Sequence, residues 1–157
     1  MNRLFGISSI ILILLFSCTK KLENPGATNT VTMSNEWWVT LKVGSDDLLG
    51  DHVLFATYNT SGNVSDSLWL DDLGNGYIFK CKVGADPNNL TFSTDSSDNE
   101  YDVYRVHIAN GKIYKKGGIS KTGLVTDSIY MEANFAGDPT TYIISGTART
   151  EWAADDY

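Results

Sequence analysis

The chain has 157 residues, of which 42% are hydrophobic, 11% aromatic and 20% charged, and 12 Lys and Arg stand against 19 Asp and Glu. This length suits one domain with a core of its own, and the apolar fraction is too high for a disordered chain. A net charge of -7 without a basic cluster argues against a nucleic-acid partner, because such binding begins with the neutralisation of phosphates.

The first residues have the pattern of an export signal. Arg3 precedes an apolar run that ends at Phe16, and Ser17 and Cys18 follow. A positive charge, about a dozen apolar residues and a small residue at the junction are typical of a secretory signal, whereas a spanning helix needs ~20 apolar residues. The junction resembles a bacterial lipobox. We therefore expect cleavage of a signal peptide, 1–17, and lipidation of Cys18, which would anchor the protein to the cell envelope. The outer membrane is the expected location, with its leaflet left open.

The residues after Cys18 are polar and show little periodicity, so residues 18–34 are predicted to form a flexible tether. A single domain, 35–157, is expected to follow it. Once Cys18 is lipidated, Cys81 has no cysteine left to pair with, so no internal disulfide is predicted. Cys81 alternates onto the apolar side of its segment, which favours a buried thiol over a nucleophile.

Beyond the tether, apolar and polar residues alternate with a period of two, the pattern of half-buried strands. Turn signals separate these segments, and Asn75-Gly76 and Asn110-Gly111 suit tight hairpins because type I′ turns need positive φ. The pattern predicts an all-β antiparallel meander of about eight strands, closed into a barrel or folded as a β-sandwich. The expected strands are 37–43, 53–59, 67–71, 77–83, 90–94, 101–109, 112–114, 128–135 and 141–152.

Two residues at the ends of the domain favour the barrel. Trp37 begins the first predicted strand and Arg149 lies near the end of the last. This arrangement resembles lipocalin-like (calycin) barrels, in which such a tryptophan packs under an arginine from the last strand. The resemblance implies a cation–π contact between Trp37 and Arg149 that closes one end of the barrel.

Six short motifs occur in an order that resembles one family of small Gram-negative envelope lipoproteins, the lipid-binding putative hydrolases. They are EWWVT at 36–40, TYNT at 57–60, LWLDDLG at 68–74, LTFST at 90–94, DSIY at 127–130 and YIISGTART at 142–150. The resemblance implies a lipocalin-like barrel behind a lipid anchor, with an apolar ligand. It transfers no catalytic residue.

No catalytic residue is assigned from the sequence. A hydrolase needs a nucleophile with a base, or a metal with an open position, and the G-x-S-x-G motif is absent. His52 and His107 are the two histidines. An esterase-like set of Ser128, His107 and Asp127 stays as an alternative, although their spacing does not favour it.

No cofactor or metal is assigned either. Asp95, Asp98, Glu100 and Asp102 could offer oxygen ligands to calcium, but a solvated loop explains them as well. Ser67 and Ser128 stand in Asp-Ser-aliphatic triplets that resemble an envelope O-glycosylation motif, and a turn before a strand explains both equally well.

Five aromatic residues alternate opposite the more aliphatic face and are the candidate ligand-binding residues. They are Trp38, Tyr58, Trp69, Tyr104 and Tyr130. Bulky rings with a few polar tips suit an apolar pocket, sugar stacking on an outer face, or plain packing.

The leading hypothesis is a noncatalytic, membrane-anchored barrel that binds a lipid or another small apolar ligand between its sheets. The alternatives are an esterase-like hydrolase and a carbohydrate-binding or structural envelope lipoprotein. Protein partners and oligomeric state are left open.

Overall fold

A computed structural model describes residues 26–157, and the predicted signal peptide and Cys18 lie outside this range. The described residues contain two short 3-10 helices and nine strands, and none of their helices is long and apolar enough to cross a membrane. In chain order the elements are the 3-10 helix Val31–Met33, β1 Asn35–Val43, β2 Asp46–Asp47, β3 Val53–Asn59, β4 Ser67–Asp71, β5 Lys80–Asp86, β6 Thr91–Ser97, β7 Val106–Ile119, β8 Val125–Phe135, β9 Tyr142–Ala148 and the 3-10 helix Ala153–Asp155.

Eight of the strands form a closed antiparallel barrel. From β3 to β9 each strand pairs with the next along the chain, and β1 pairs with both β3 and β9. The strand β2 has two residues, which pair with the end of β1 to form a short hairpin. The prediction of an all-β meander that closes into a barrel is therefore confirmed, and the sandwich alternative is wrong. Closure leaves neither β1 nor β9 with an unpaired edge.

Alternating residues of most barrel strands point inwards and fill the interior. Trp37, Val39 and Leu41 of β1 are 5% exposed or less, while Trp38 and Thr40 between them face outwards. Small and large side chains from facing strands interdigitate, as in other small barrels whose interior is a packed core. The other members of the packed core are Met33, Phe55, Leu68, Leu70, Phe79, Cys81, Val83, Phe92, Val106, Ile108, Ile113, Ile129, Met131, Ala133, Phe135, Tyr142, Ile144 and Ala148.

The end of the barrel next to the amino-terminal segment is closed by that segment. Met33 is fully buried, and its carbonyl accepts a 2.6 Å hydrogen bond from the Thr57 hydroxyl. The same hydroxyl accepts a 2.9 Å hydrogen bond from the indole Nε1 of Trp37. One buried hydroxyl thus joins the segment, β1 and β3. Thr30 is buried as well, so the last residues of the predicted tether belong to the folded domain.

The opposite end, which we call the mouth, is formed by four connections. They are residues 44–52, 72–79, 98–105 and 136–141. The predicted hairpin at Asn75-Gly76 is a wider loop, and its left-handed residues are Leu73, Gly74 and Ile78. A two-residue turn would join β4 and β5 directly, whereas this loop reaches across the mouth.

The predicted hairpin at Asn110-Gly111 is a β-bulge inside one long strand. Asn110 has a φ of 55°, but β7 continues through it, with a register shift against β8. The predicted strands 101–109 and 112–114 therefore combine into β7, and residues 101–105 form a loop. Gly111 is required there because a Cβ would lie 2.2 Å from the Phe92 carbonyl oxygen and 2.4 Å from its ring.

The seam between β1 and β9 depends on Gly146, which lies opposite Val39. A Cβ at this position would lie 1.9 Å from the Trp38 carbonyl oxygen and 2.7 Å from the Val39 Cα. Both atoms belong to the backbone of the closing strand, so no side chain can move aside. Any larger residue must push the two strands apart.

We predict that Gly146→Ala lowers the free energy of unfolding by about 1–3 kcal/mol or more, the usual cost of overpacking. Gly62→Ala is the matched control, because the nearest atom to its Cβ would be 3.9 Å away, and it should change stability by less than about 0.5 kcal/mol. Urea unfolding followed by circular dichroism measures both. Equal midpoints for the two variants would contradict this account of the seam.

Candidate functional site

The mouth is lined by aromatic side chains that stand at the ends of inward-facing rows. Phe79 lies 5.9 Å from Phe55 and 5.6 Å from Phe135, measured between ring centroids, and Phe135 lies 5.6 Å from Tyr142. These separations are in the range in which aromatic pairs attract each other. Together the four rings form a continuous apolar layer between the barrel interior and the mouth.

Tyr77, in the loop 72–79, covers this layer from outside. Its ring stacks on Phe135 at 4.1 Å and lies 4.6 Å from Tyr142. Its hydroxyl donates a 3.1 Å hydrogen bond to Asp138. The side chain remains 37% exposed, so one face of the ring meets solvent while the other meets the aromatic layer.

Tyr77 also separates two cavities. Outside it lies an open groove of about 430 Å³, and inside it lies an apolar crevice of only about 10 Å³. The mouth groove is lined by Tyr77, Asp102, Tyr104, Phe135, Ala136, Gly137 and Asp138. The inner crevice is lined by Val39, Leu41, Leu49, Val53, Phe55, Asp72, Gly76, Tyr77, Phe79 and Ile144. Tyr77 belongs to both sets, so movement of this one ring would connect them.

The loop that carries Tyr77 is held by a buried carboxylate. Asp72 is 3% exposed and accepts hydrogen bonds from the backbone N–H groups of Gly74 and Ile78. These two bonds satisfy a charge that burial would otherwise make costly. The loop is therefore ordered around Asp72, while Tyr77 contacts the layer only through its ring and hydroxyl.

Asp138 is the main polar group of the mouth groove. Its carboxylate accepts hydrogen bonds from the Thr140 N–H at 2.9 Å, the Tyr142 hydroxyl at 2.7 Å and the Tyr77 hydroxyl. The bonds from Thr140 and Tyr142, and less strongly from Tyr77, lower the pKa of Asp138 to about 2. Asp138 is consequently ionised at neutral pH and presents a fixed negative charge beside the rings.

Two of the predicted ligand-binding residues, Tyr58 and Trp69, lie side by side on the outer wall. They are direct partners in the pairing of β3 with β4. The ammonium group of Lys80 lies 5.5 Å from the Tyr58 ring and 5.3 Å from the Trp69 ring. The Tyr58 hydroxyl donates to the buried Asp71 at 2.6 Å. Both rings are thus engaged by groups of the protein itself.

Asp71 organises that outer cluster. Burial alone would raise the pKa of Asp71, but hydrogen bonds from Tyr58, the Leu73 N–H and Tyr101, together with the charge of Lys80, lower it below its ordinary value. The Tyr101 hydroxyl donates at 2.8 Å. The cluster therefore ties the wall to the mouth loops.

The arginine expected to pack on Trp37 lies over the neighbouring Trp38 instead. The Arg149 guanidinium is 5.9 Å from the Trp38 ring and forms ion pairs with Glu36 at 2.8 Å and Asp156 at 3.0 Å. The reason is strand alternation: Trp37 points into the core, whereas Arg149 follows the inward-facing Ala148 and points outwards. Arg149 still links β1 to the last strand, but on the outside of the barrel.

The other predicted ligand-binding residues do not converge. Tyr130 lies on the outer wall of β8, where its hydroxyl donates to Glu132 at 2.8 Å. Trp38 lies on the outer wall of β1 and meets Tyr157 edge-on at 5.8 Å. Tyr104 alone reaches the mouth groove, and it is 53% exposed.

Apart from Tyr104, the aromatic residues of the mouth are not among the predicted ligand-binding residues. Phe79 shares inward parity with Cys81 and Val83, and Phe135 shares it with Ala133 and Met131. The signal that identifies them is therefore an aromatic residue at the end of an inward-facing row next to a long loop.

The esterase-like set is not assembled. His107 lies opposite Asn134 in the pairing of β7 with β8. Asn134 and Ser128 are six positions apart along β8, which corresponds to roughly 20 Å at ~3.3 Å per residue. His107 and Ser128 are separated by a similar distance. The Asp127 carboxylate accepts from Lys115 at 2.8 Å and from the Lys116 N–H. No base stands next to Ser128 in this arrangement.

Cys81 and the acidic loop considered for calcium have other roles in the structure. Burial raises the pKa of Cys81 to about 12, so its side chain is a neutral thiol of the core. In the loop predicted as a calcium alternative, Asp98 pairs with Arg105 and Asp102 accepts from the Val103 N–H. Across residues 26–157 no three His, Cys, Asp or Glu side chains are placed to hold a metal.

A family model described as "Lipid-binding putative hydrolase" matches residues 22–153. This range contains every strand of the barrel and all four mouth connections. No curated protein matches the chain.

We predict that Asp138→Asn destabilises the protein at neutral pH and has no effect in strong acid. The pKa of Asp138 is lowered to about 2 from an ordinary value of ~3.9. Its stabilising contribution is therefore present above the ordinary value and lost as the pH falls through about 2. Urea unfolding at several pH values measures the difference from the wild type. Asp66→Asn, in the loop at the closed end, is the control and should follow the wild type throughout. A difference that is the same at every pH would refute this role of the charge.

Proposed function

The chain belongs to the family of lipid-binding putative hydrolases, and we propose that it binds a lipid or another small apolar ligand at the mouth without chemical turnover. The family and the barrel fold support a lipid-binding role. The family resemblance drawn from the sequence motifs is confirmed by the match over residues 22–153. The observation that carries the proposal is that Tyr77 is shared between the mouth groove and the inner crevice.

The groove has the size and lining of a ligand site. Its volume of about 430 Å³ lies within the ~300–1,000 Å³ typical of small-molecule pockets. Three rings line it, those of Tyr77, Tyr104 and Phe135, and Asp138 provides a fixed polar group at its rim. Each methylene group that an alkyl chain buries there contributes about 0.8 kcal/mol.

Deeper binding requires Tyr77 to move. The crevice beneath it holds only about 10 Å³, so an alkyl chain enters by replacing the Tyr77 ring on Phe135. The exchange keeps Phe135 covered, because one apolar contact takes the place of another. The left-handed residues Leu73 and Ile78 flank the part of the loop that moves, and Asp72 holds its base.

A binding role fits the described residues better than hydrolysis. The distance between His107 and Ser128 leaves the serine without a base, and Lys115 engages Asp127. On the outer wall, Lys80 covers the rings of Tyr58 and Trp69, which argues against a sugar platform. A second cavity of similar volume, about 470 Å³, is lined mainly by residues of β5, β6 and β7, but among the described residues Phe92 is the one aromatic residue in its lining, whereas three rings line the mouth groove.

We further propose that Cys18 carries a lipid anchor and that the protein resides in the cell envelope, at the outer membrane. The described chain enters the barrel at the closed end, where Met33 is buried. An anchor on Cys18 would attach to that end, so the mouth opens at the far end. Two or three acyl chains would make such an attachment effectively permanent.

The binding proposal predicts that a ligand occupies the mouth of the fragment 19–157, which contains every strand and the entire described core. Native mass spectrometry of this fragment, purified without detergent and incubated with a mixture of single-chain lipids, should show a one-to-one adduct. Ala136→Trp fills the groove from an exposed position and should remove the adduct.

Ala153→Trp is the matched control, because it adds the same ring at an exposed site of the closed end. It should bind as the wild type does. Absence of any adduct in the wild type, or an adduct that survives in Ala136→Trp, would contradict binding at the mouth.

The anchor proposal predicts that the full chain, expressed in a Gram-negative host, fractionates with membranes and yields an acylated amino-terminal peptide. Cys18→Ser should release the protein from the membrane fraction. Cys81→Ala, which alters the buried cysteine, should leave fractionation unchanged. Membrane retention of Cys18→Ser, or an unmodified Cys18 in the wild type, would count against the anchor.

A further inference from the structure

The two ends of the barrel differ strongly in charge. The four mouth connections carry eight carboxylates, one arginine, Arg105, and one histidine, His52. The carboxylates are Asp46, Asp47, Asp51, Asp72, Asp98, Glu100, Asp102 and Asp138. In contrast, the connections and carboxyl-terminal segment at the closed end hold four carboxylates and two basic residues. These are Asp66, Glu151, Asp155, Asp156, Lys121 and Arg149.

The basic residues nearest to the mouth are already paired. Arg105 forms an ion pair with Asp98 and donates to Ser96. Lys80 lies 3.7 Å from the Asp71 carboxylate, on the outer wall. No lysine, arginine or histidine lines the mouth groove. An anionic group placed in the groove would therefore meet carboxylates without a neutralising partner.

The groove offers a cation both kinds of attraction that proteins use for ammonium groups. The rings of Tyr77, Tyr104 and Phe135 line it, and Asp102 and Asp138 stand beside them. Aromatic faces attract ammonium and quaternary ammonium groups through their quadrupoles, and carboxylates attract them directly. Asp138 keeps its charge because hydrogen bonds hold it ionised.

We infer that the ligand is an amphiphile whose polar head is positively charged, an ammonium or quaternary ammonium group, and that the mouth rejects anionic heads such as fatty-acid carboxylates. This inference rests on the proposed function, since it concerns the same groove. The alkyl chain takes the place of the Tyr77 ring on the aromatic layer, and the head remains at the rim between Tyr104 and the two carboxylates.

Three amphiphiles with the same ten-carbon chain and different heads test this inference: decyltrimethylammonium, 1-decanol and decanoate. Each is titrated into fragment 19–157 below its micellar concentration and followed by isothermal titration calorimetry. We expect the dissociation constant of decyltrimethylammonium to be at least about tenfold lower than that of decanoate, with decanol between them. The preference should weaken at high salt, because the charges at the rim are open to solvent.

A charge-neutralising variant places the selectivity at the mouth. Asp102→Asn keeps an oxygen that can accept from the Val103 N–H and removes one charge from the groove. It should lower the ratio of the decanoate dissociation constant to the decyltrimethylammonium dissociation constant about two- to threefold. Asp66→Asn, the same change at the closed end, should not alter this ratio.

The outcomes separate the two proposals. Decanoate that binds as well as the cation, decanol that binds while the cation does not, or equal effects of Asp102→Asn and Asp66→Asn would overturn the head-group inference and leave lipid binding in place. If none of the three amphiphiles binds, the proposed function fails, and the head-group inference fails with it.

Discussion

The fold depends on the close approach of β1 and β9 at Gly146. At this seam the first and last strands of the barrel pair, and the absence of a side chain lets the Trp38 and Val39 backbone lie against the glycine. Closure turns a meander into a barrel with two defined ends and pairs the edges that β1 and β9 would expose in an open sheet. Because every strand then has a fixed register, inward-facing aromatic residues at the strand ends gather in one layer at the mouth.

The two ends of the barrel are finished in different ways, and this difference carries the function. At the closed end, the Thr57 hydroxyl binds the Met33 carbonyl and the Trp37 indole, a buried and fully satisfied arrangement. At the mouth, a half-exposed Tyr77 covers the aromatic layer through stacking, a hydrogen bond donated to Asp138 and a 3.3 Å hydrogen bond accepted from Tyr142. A hydrogen bond of this kind contributes only about 1 kcal/mol net to stability, so contacts with a bound ligand can compensate for its loss. The interior can therefore stay packed while the mouth opens.

Much of the fold could be predicted from the sequence, because strand alternation is a local pattern. The bounds of β3 and β4 agree with the predicted segments 53–59 and 67–71, and the antiparallel order of successive strands follows from the turn signals between them. Positive φ at Asn110 was also predictable, but a turn and a bulge share that requirement, and only the pairing of β7 with β8 distinguishes them.

The site was less predictable, since alternation assigns a face but not which rings meet. Tyr58 and Trp69 were selected because they lie on the face opposite the aliphatic one. The face on which they lie is the outer wall. Tyr77 lies in a loop that crosses the mouth, and its contact with Phe135 joins residues distant in sequence. Arg149 reaches Trp38 and not Trp37 because side chains alternate between the two faces at the end of β9, and Arg149 stands on the outer face.

Under the proposed function, an alkyl chain replaces the Tyr77 ring on the aromatic layer of the mouth. Intermolecular nuclear Overhauser effects between a decyl amphiphile and the rings of labelled fragment 19–157 test it most directly. The account predicts contacts from the chain to Phe79 and Phe135, and from the head to Tyr104. Contacts confined to Tyr58 and Trp69 on the outer wall would contradict it.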